Sequence, residues 1–201
     1  EMNMGPDRFF YGFGMPMNSK AESRGGQVKG SIELSDRDLL RVGGEYLAYR
    51  LDDWWSPVGS SGSMCCNDFR NISDGQQDRF GIYGEWEASW SPEWLSLLGV
   101  RGDLVTSDAG SVQGYNDTMQ IWTAFNARDR RRTDPHLDLT ALLRYTPHAM
   151  VGFEAGYARK TRSANLYERY VWSTNPMAAL MNNFAGDGNG YVGDIDLKPE
   201  V

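Results

Sequence analysis

The side chains best suited to chemistry in this sequence are those that contain sulfur. Two Met-x-Met pairs lie near its start, and a Met-Cys-Cys run lies at positions 64–66. Residues i and i+2 of an extended segment point to the same side, so each pair presents two thioethers together. Thioether and thiolate are soft ligands that suit copper(I). The candidate metal ligands are Met15, Met17, Met64, Cys65 and Cys66, and the candidate contacts to an external ligand are Met2, Met4, Met15, Met17, Met177 and Met181.

Three interpretations of the methionines are open. The sequence places Met150 in a predicted strand and every other methionine, Met119 included, in predicted loops. They can pad loops that fold against one another, they can bind a soft metal, or they can pack against an organic ligand such as a siderophore, a haem or a cobalamin. No resident cofactor is expected, so copper or an iron chelate would be a bound and transported ligand.

Cys65 and Cys66 are adjacent, and they are the only cysteines. Neighbouring alpha carbons lie about 3.8 Å apart, which is below the usual disulfide range. Reduced metal ligands and disulfide partners outside this chain are therefore both open.

Catalytic chemistry has little support. A covalent hydrolase needs a nucleophile within hydrogen-bond reach of a base. The two histidines, His136 and His148, fall at different predicted levels of the sheet, and no Gly-x-Ser-x-Gly motif occurs.

Two polar runs have a plain and a specific interpretation. The arginine-rich run 128–132 is either a solvated loop or a contact to lipopolysaccharide phosphates or to an anionic metal chelate. The run 187–190 starts like a calcium loop, but the later ligands of that pattern are missing, so we interpret it as a turn.

The elements that must position these residues are β-hairpins, and the clearest spans 78–105. Alternate residues from Phe80 to Trp90 are mostly apolar, and Ser91-Pro92-Glu93 predicts a tight turn. The pattern resumes from Trp94, and three tryptophans gather near the turn. Each strand is about ten residues long, as a tilted membrane strand requires.

Two further hairpins share this design. One alternates through 28–34 and 40–48 around a turn at 35–37, and the other through 137–145 and 151–158 around a turn at 146–148. Residues 1–26, 52–77 and 106–135 lack an apolar period and are predicted to be loops. Short turns within hairpins and long connections between them favour an outer-membrane barrel over a soluble sandwich.

Composition agrees with a barrel wall. No apolar run reaches the length of a transmembrane helix, and the start of the sequence does not have the pattern of a signal peptide. The net charge of −7 argues against a nucleic-acid partner. Six strands cannot close a membrane barrel, so we expect the chain to form part of a larger one.

The last strand and the segment after it resemble TonB-dependent outer-membrane receptors. That family has a strand of the form G-x-x-x-x-x-R-x-P-x-L-x-E and later a segment like N-x-x-L-K-P-E. Gly156–Glu168 and Gly193–Glu200 resemble these two elements in order, with Ala164 in place of the usual proline. The residues that carry the resemblance are Arg162, Leu166, Glu168, Leu197, Lys198, Pro199 and Glu200.

The resemblance implies an all-β fold, namely an antiparallel up-and-down transmembrane β-barrel of about twenty-two strands. Residues 1–201 would supply about six of them, without the family's plug domain. It implies a receptor, not an enzyme, in the outer membrane of a Gram-negative bacterium. Its partners would be lipid and lipopolysaccharide, the TonB complex through the plug, and a scarce ligand such as a metal or a siderophore. A passive porin is the main alternative, and a barrel enzyme is the weaker one.

Overall fold

The computed structural model describes residues 3–4, 15–57, 61–62, 64–115, 121–183 and 185–201, with side chains from residue 17 onward. Seven strands in these residues form one antiparallel sheet whose order follows the chain. The strands are β1 (Asn3–Met4), β2 (Met15–Glu33), β3 (Asp38–Trp55), β4 (Phe69–Ser89), β5 (Trp94–Asp108), β6 (Arg132–His148) and β7 (Val151–Arg159).

The three predicted hairpins are confirmed. β2 joins β3, β4 joins β5 and β6 joins β7 across the expected short turns, and within the described residues β1 and β7 are the open edges of the sheet. The central turn is closed by Trp90 N, which donates to Trp94 O at 2.9 Å. The fold is thus an up-and-down segment of a barrel.

Most strands are longer than the predicted ten residues. β4 has 21 residues and β2 has 19, so the prediction of loop for 15–26 was wrong. The neighbouring strands also extend into both ends of the predicted loops 52–77 and 106–135, so these connections are shorter than predicted. Backbone hydrogen bonds continue beyond the belt-forming part of each strand, where apolar and polar residues no longer alternate regularly.

One face of the sheet carries an apolar belt that no other part of the described chain covers. Val100 is 50 % exposed and Phe153 is 61 % exposed, so these side chains have no second protein layer over them. A soluble domain rarely leaves such a contiguous surface uncovered, whereas a barrel wall presents it to lipid. The belt consists of Val28, Ile32, Val42, Tyr46, Phe80, Ile82, Leu98, Val100, Leu104, Leu137, Leu139, Leu143, Val151, Phe153 and Tyr157.

Aromatic rings border the belt at the short-turn end. Trp86 and Trp90 meet edge to face with ring centroids 5.9 Å apart, and Trp94 stacks on Tyr145 at 4.3 Å. The Arg37 guanidinium lies over the Trp90 ring at 4.5 Å. Rings with one apolar side and one polar partner suit the membrane–water interface.

Three short helices occur among the described residues, all near the other end of the sheet. They are α1 (Trp122–Asn126), α2 (Leu166–Tyr170) and α3 (Pro176–Met181). None of the described helices has the length and apolar character needed to cross a membrane.

The segment 163–199, named here the inner segment, packs against the face of the sheet opposite the belt. Leu166, Tyr170 and Ile195 are buried there with Leu51 of β3 and Ile72 of β4. Fully burying one such side chain contributes about 1.5–3 kcal/mol, so the packing holds the segment in place. Gly193 is required where the segment doubles back, because a Cβ there would lie 2.7 Å from the Arg169 backbone.

Candidate functional site

The polar face of the sheet is organised by ion pairs between neighbouring strands. Glu45 of β3 accepts from Arg79 of β4 and from Arg101 of β5, each at 2.5 Å. Arg101 also binds Asp103 at 2.6 Å. This face therefore has a polar lining, and its charges neutralise one another across strands.

The inner segment is held on this face by hydrogen bonds to strand side chains. Gln77 donates to the Ala164 carbonyl at 3.0 Å, and Asp138 accepts from Thr161 N at 2.8 Å just before the segment begins. Arg169, which is 1 % exposed, pairs with Asp134 of β6 at 2.6 Å. Removing either member of that buried pair would leave an unpaired charge in the interior.

A buried polar network ties the segment to the outer end of β3 and β4. Asn71 Nδ2 donates to Asp53 Oδ2 and to Asn182 Oδ1, both at 2.8 Å. Asn182 caps the C-terminal end of α3, and Tyr167 of α2 also hydrogen-bonds to Asp53. Burial raises the pKa of Asp53 to about 6. Asp53 lies in β3 beyond the belt and therefore outside the membrane-crossing part of that strand.

Three of the predicted ligand methionines meet in one cluster. Met181 is buried, and Met17 and Met64 pack against the same group of side chains. The outer aromatic cluster, as we name that group, contains Trp55, Phe69, Val112, Tyr115, Trp172, Ala178 and Met181. Contact with rings suits the polarizable thioether, and loop packing accounts for these three positions without a ligand.

The other candidate methionines have varied positions. Met2 and Met119 lie outside the described residues. Met4 and Met15 are directly opposite one another in the β1–β2 register. Met177 is half-buried in α3. Met150 is 85 % exposed and lies in the turn between β6 and β7, so the prediction that Met150 lies in a strand was wrong.

Cys65 and Cys66 form a disulfide with one another, so both expectations, reduced ligands and disulfide partners outside this chain, were wrong. Cys65 is buried and Cys66 is exposed. Sulfurs bonded to each other are not thiolates, so this form of the loop lacks the predicted thiolate ligands. In the described part of the chain, no group of three or more His, Cys, Asp or Glu side chains is arranged to hold a metal ion.

The two halves of the sequence motif come together in space. Arg162 and Glu200 pair backbone to backbone, with N to O distances of 3.0 and 2.9 Å. The Arg162 guanidinium binds Glu168 and Glu200, each at 2.9 Å, so one arginine joins the start, the helix and the end of the inner segment. Glu168 also closes a capping box with Asn165 at the N-terminus of α2.

Among the other motif residues, Leu166 is buried in the packing of the inner segment, whereas Leu197 is 40 % exposed. The Leu197 carbonyl accepts from Arg169 at 3.0 Å. Lys198 and Pro199 join this residue to Glu200.

A family model described as "TonB dependent receptor-like, beta-barrel" matches residues 5–201. The chain belongs to this family. No curated protein and no solved structure matches it. Proteins of the family are outer-membrane receptors and transporters, which agrees with the lipid-facing belt and with the polar inner face of this receptor wall.

One catalytic-looking contact in the receptor wall was missed by sequence reasoning. Ser163 Oγ lies 2.9 Å from His136 Nε2 and 2.8 Å from Asp134 Oδ2. The hydroxyl donates to the carboxylate, so His136 must donate to the hydroxyl instead of accepting its proton, and a nucleophilic serine needs the reverse. No local motif joins positions 136 and 163, and only the folded inner segment brings them together.

The arginine-rich run is largely satisfied within the chain. Arg128 and Arg132 bind Asp196 at 2.8 and 2.6 Å, and Arg130 donates to the carbonyls of Ala109 and Asn126 at 2.8 Å. These bonds tie the connection between β5 and β6 to the inner segment.

The run 187–190 forms an ordinary turn. Asp187 accepts from the Asn189 backbone at 2.9 Å and from Tyr191 OH at 2.5 Å. These hydrogen bonds occupy the carboxylate without a cation.

Proposed function

We propose that this chain forms part of the wall of a receptor that takes up a scarce metal or metal chelate across the outer membrane of a Gram-negative bacterium. TonB would power uptake through a plug domain. The observation that carries the proposal is the combination of an uncovered apolar belt with an ion-paired polar face, in a chain of this receptor family. The apolar belt suits contact with lipid, and the ion-paired polar face suits a water-filled lumen.

Polar cavities along the inner face support a path for a polar ligand. A cavity of about 240 Å³ is lined by Arg79, His136 and Thr161, among others, and one of about 280 Å³ lies farther along the wall beside Tyr83 and Lys160. Their lining offers donors and acceptors to the oxygen atoms of a chelate.

Uptake by cells that produce the intact receptor tests the proposal. Copper and ferric siderophores, supplied as labelled probes, are expected to accumulate only when both the receptor and TonB are present. Equal accumulation of every probe after removal of TonB would contradict energised transport.

Copper(I) is a specific candidate for the ligand because of the strand register. Met4 lies opposite Met15, and Met17 follows two residues later on β2. This backbone register places three methionine positions close together, and thioethers are soft ligands that suit copper(I).

Replacing Met15 and Met17 together by leucine is expected to weaken copper(I) binding at least tenfold. Leucine nearly conserves the volume of methionine, so the packing of Met17 against the outer aromatic cluster is retained. Calorimetry on the intact receptor measures the affinity, and Met150→Leu in the exposed turn is the matched control. Unchanged affinity in the double variant would remove copper as the candidate and leave a chelate.

A further inference from the structure

The buried carboxyl group of Asp53 is the least expected feature of the receptor wall. It is 0 % exposed, and within the described residues it has no ion-pair partner. Asn71 and Tyr167 hydrogen-bond to it, but its Oδ1 atom has no hydrogen-bond partner among the described residues. A buried carboxylate without a cation costs far more free energy than a buried neutral carboxyl group, so burial favours the protonated form.

Hydrogen bonds link the carboxyl group of Asp53 to the inner segment. Asn71 links it to Asn182 at the end of α3, and Tyr167 links it to α2. Asn71 and Asn182 are 0 % and 2 % exposed, so water cannot replace these contacts while the segment is docked. Undocking the segment would expose Asp53 and allow the carboxylate to be hydrated.

We propose that Asp53 is the proton-sensing centre of a latch that holds the inner segment against the barrel wall. The latch is closed when Asp53 is protonated and loosens when Asp53 loses its proton. The segment lies at the end of the sheet opposite the short turns, which is the external side of the family's barrels, so the latch responds to the pH outside the cell.

The direction of the effect follows from linkage. The pKa of Asp53 rises from 3.8 to about 6 on burial, so the docked segment binds the proton more tightly than the undocked one. Protonation of Asp53 stabilises the docked state fully below pH 3.8, and this stabilisation is lost as the pH rises through about 6. The titratable groups that face Asp53 are Tyr49 and Tyr167, which both stay neutral in this range.

Hydrogen exchange of the intact receptor in outer-membrane vesicles tests the latch. Peptides that cover 163–183 are expected to lose protection about tenfold between pH 5 and pH 8, after correction for the intrinsic exchange rate. Asp53→Asn keeps the shape of the neutral carboxyl, and its profile is expected to be flat. Asp52→Asn, at the exposed neighbour on the opposite face, is the matched control and is expected to keep the wild-type profile.

Two results would overturn the latch: a flat wild-type profile, or a pH dependence that persists in Asp53→Asn. If the variant fails to insert, the wild-type profile alone decides between the outcomes. The measurement needs no ligand, so its failure is separate from a failure of the proposed uptake function.

Discussion

At the scale of single residues, Arg162 is the clearest example of a side chain that organises a segment. It binds two carboxylates that lie six and thirty-eight positions later in the sequence. A guanidinium can meet both because its donors form a planar fork. Lysine would offer a point charge without that geometry.

Arg162→Gln is expected to loosen the inner segment by about 1 kcal/mol, because the arginine is half exposed and each of its ion pairs is partly screened by water. Hydrogen exchange of peptides over 163–170 measures the change. Arg24→Gln, which removes an exposed pair with Glu22 on β2, is the control and is expected to leave these peptides unchanged. Full protection in Arg162→Gln would show that apolar packing alone docks the segment.

The ion pair between Arg162 and Glu168 stabilises the inner segment with a pH dependence opposite to that of Asp53. Burial opposes ionisation of Glu168, but hydrogen bonds from Arg162 and from the Asn165 backbone outweigh it, so the pKa of Glu168 is lowered. The stabilisation that the Glu168 carboxylate supplies is present above pH 4.5, the ordinary pKa of this group. It is lost as the pH falls through the lowered pKa. A window from pH 5 to 8 therefore separates the titration of Asp53 from that of Glu168.

At the scale of elements, each strand serves two environments along its length. β4 carries Phe80 and Ile82 of the belt in one part, and Asn71 of the buried network in another. Hydrophobic alternation marks only the lipid-facing part, since only there must one face be apolar. The ladder of hydrogen bonds continues into the polar part, and this explains why strand bounds were predicted too short.

Val100→Arg, in the middle of the belt on β5, is expected to destabilise the barrel by about 2–4 kcal/mol, because it moves a charge into hydrocarbon. Denaturant unfolding of the intact receptor in bilayers measures the free energy. Thr106→Arg, on the same strand face beyond the belt, is the control and is expected to cost less than about 1 kcal/mol. Equal effects of the two variants would contradict the assignment of this face to lipid.

At the scale of the whole molecule, the inner segment distinguishes a receptor from an open pore. It packs on the polar face and covers part of that face. Where uptake proves to depend on TonB, planar-bilayer recordings of the intact receptor are expected to show no stable open channel. Steady ohmic conductance would favour the porin alternative.

The sequence by itself determined the hairpins, the two faces of the sheet and the family. Alternation from Phe80 to Leu104 is a local property that follows from strand geometry, and the motif from Arg162 to Glu200 is readable without coordinates.

Only the tertiary structure decided which distant side chains meet. It gathered Met17, Met64 and Met181 on buried rings, and it buried Asp53 beneath α2 and α3. These contacts depend on the inner segment folding back over strands that lie far away in sequence. No periodic pattern along the chain encodes such contacts, because they are set by packing between segments and not by backbone geometry within one.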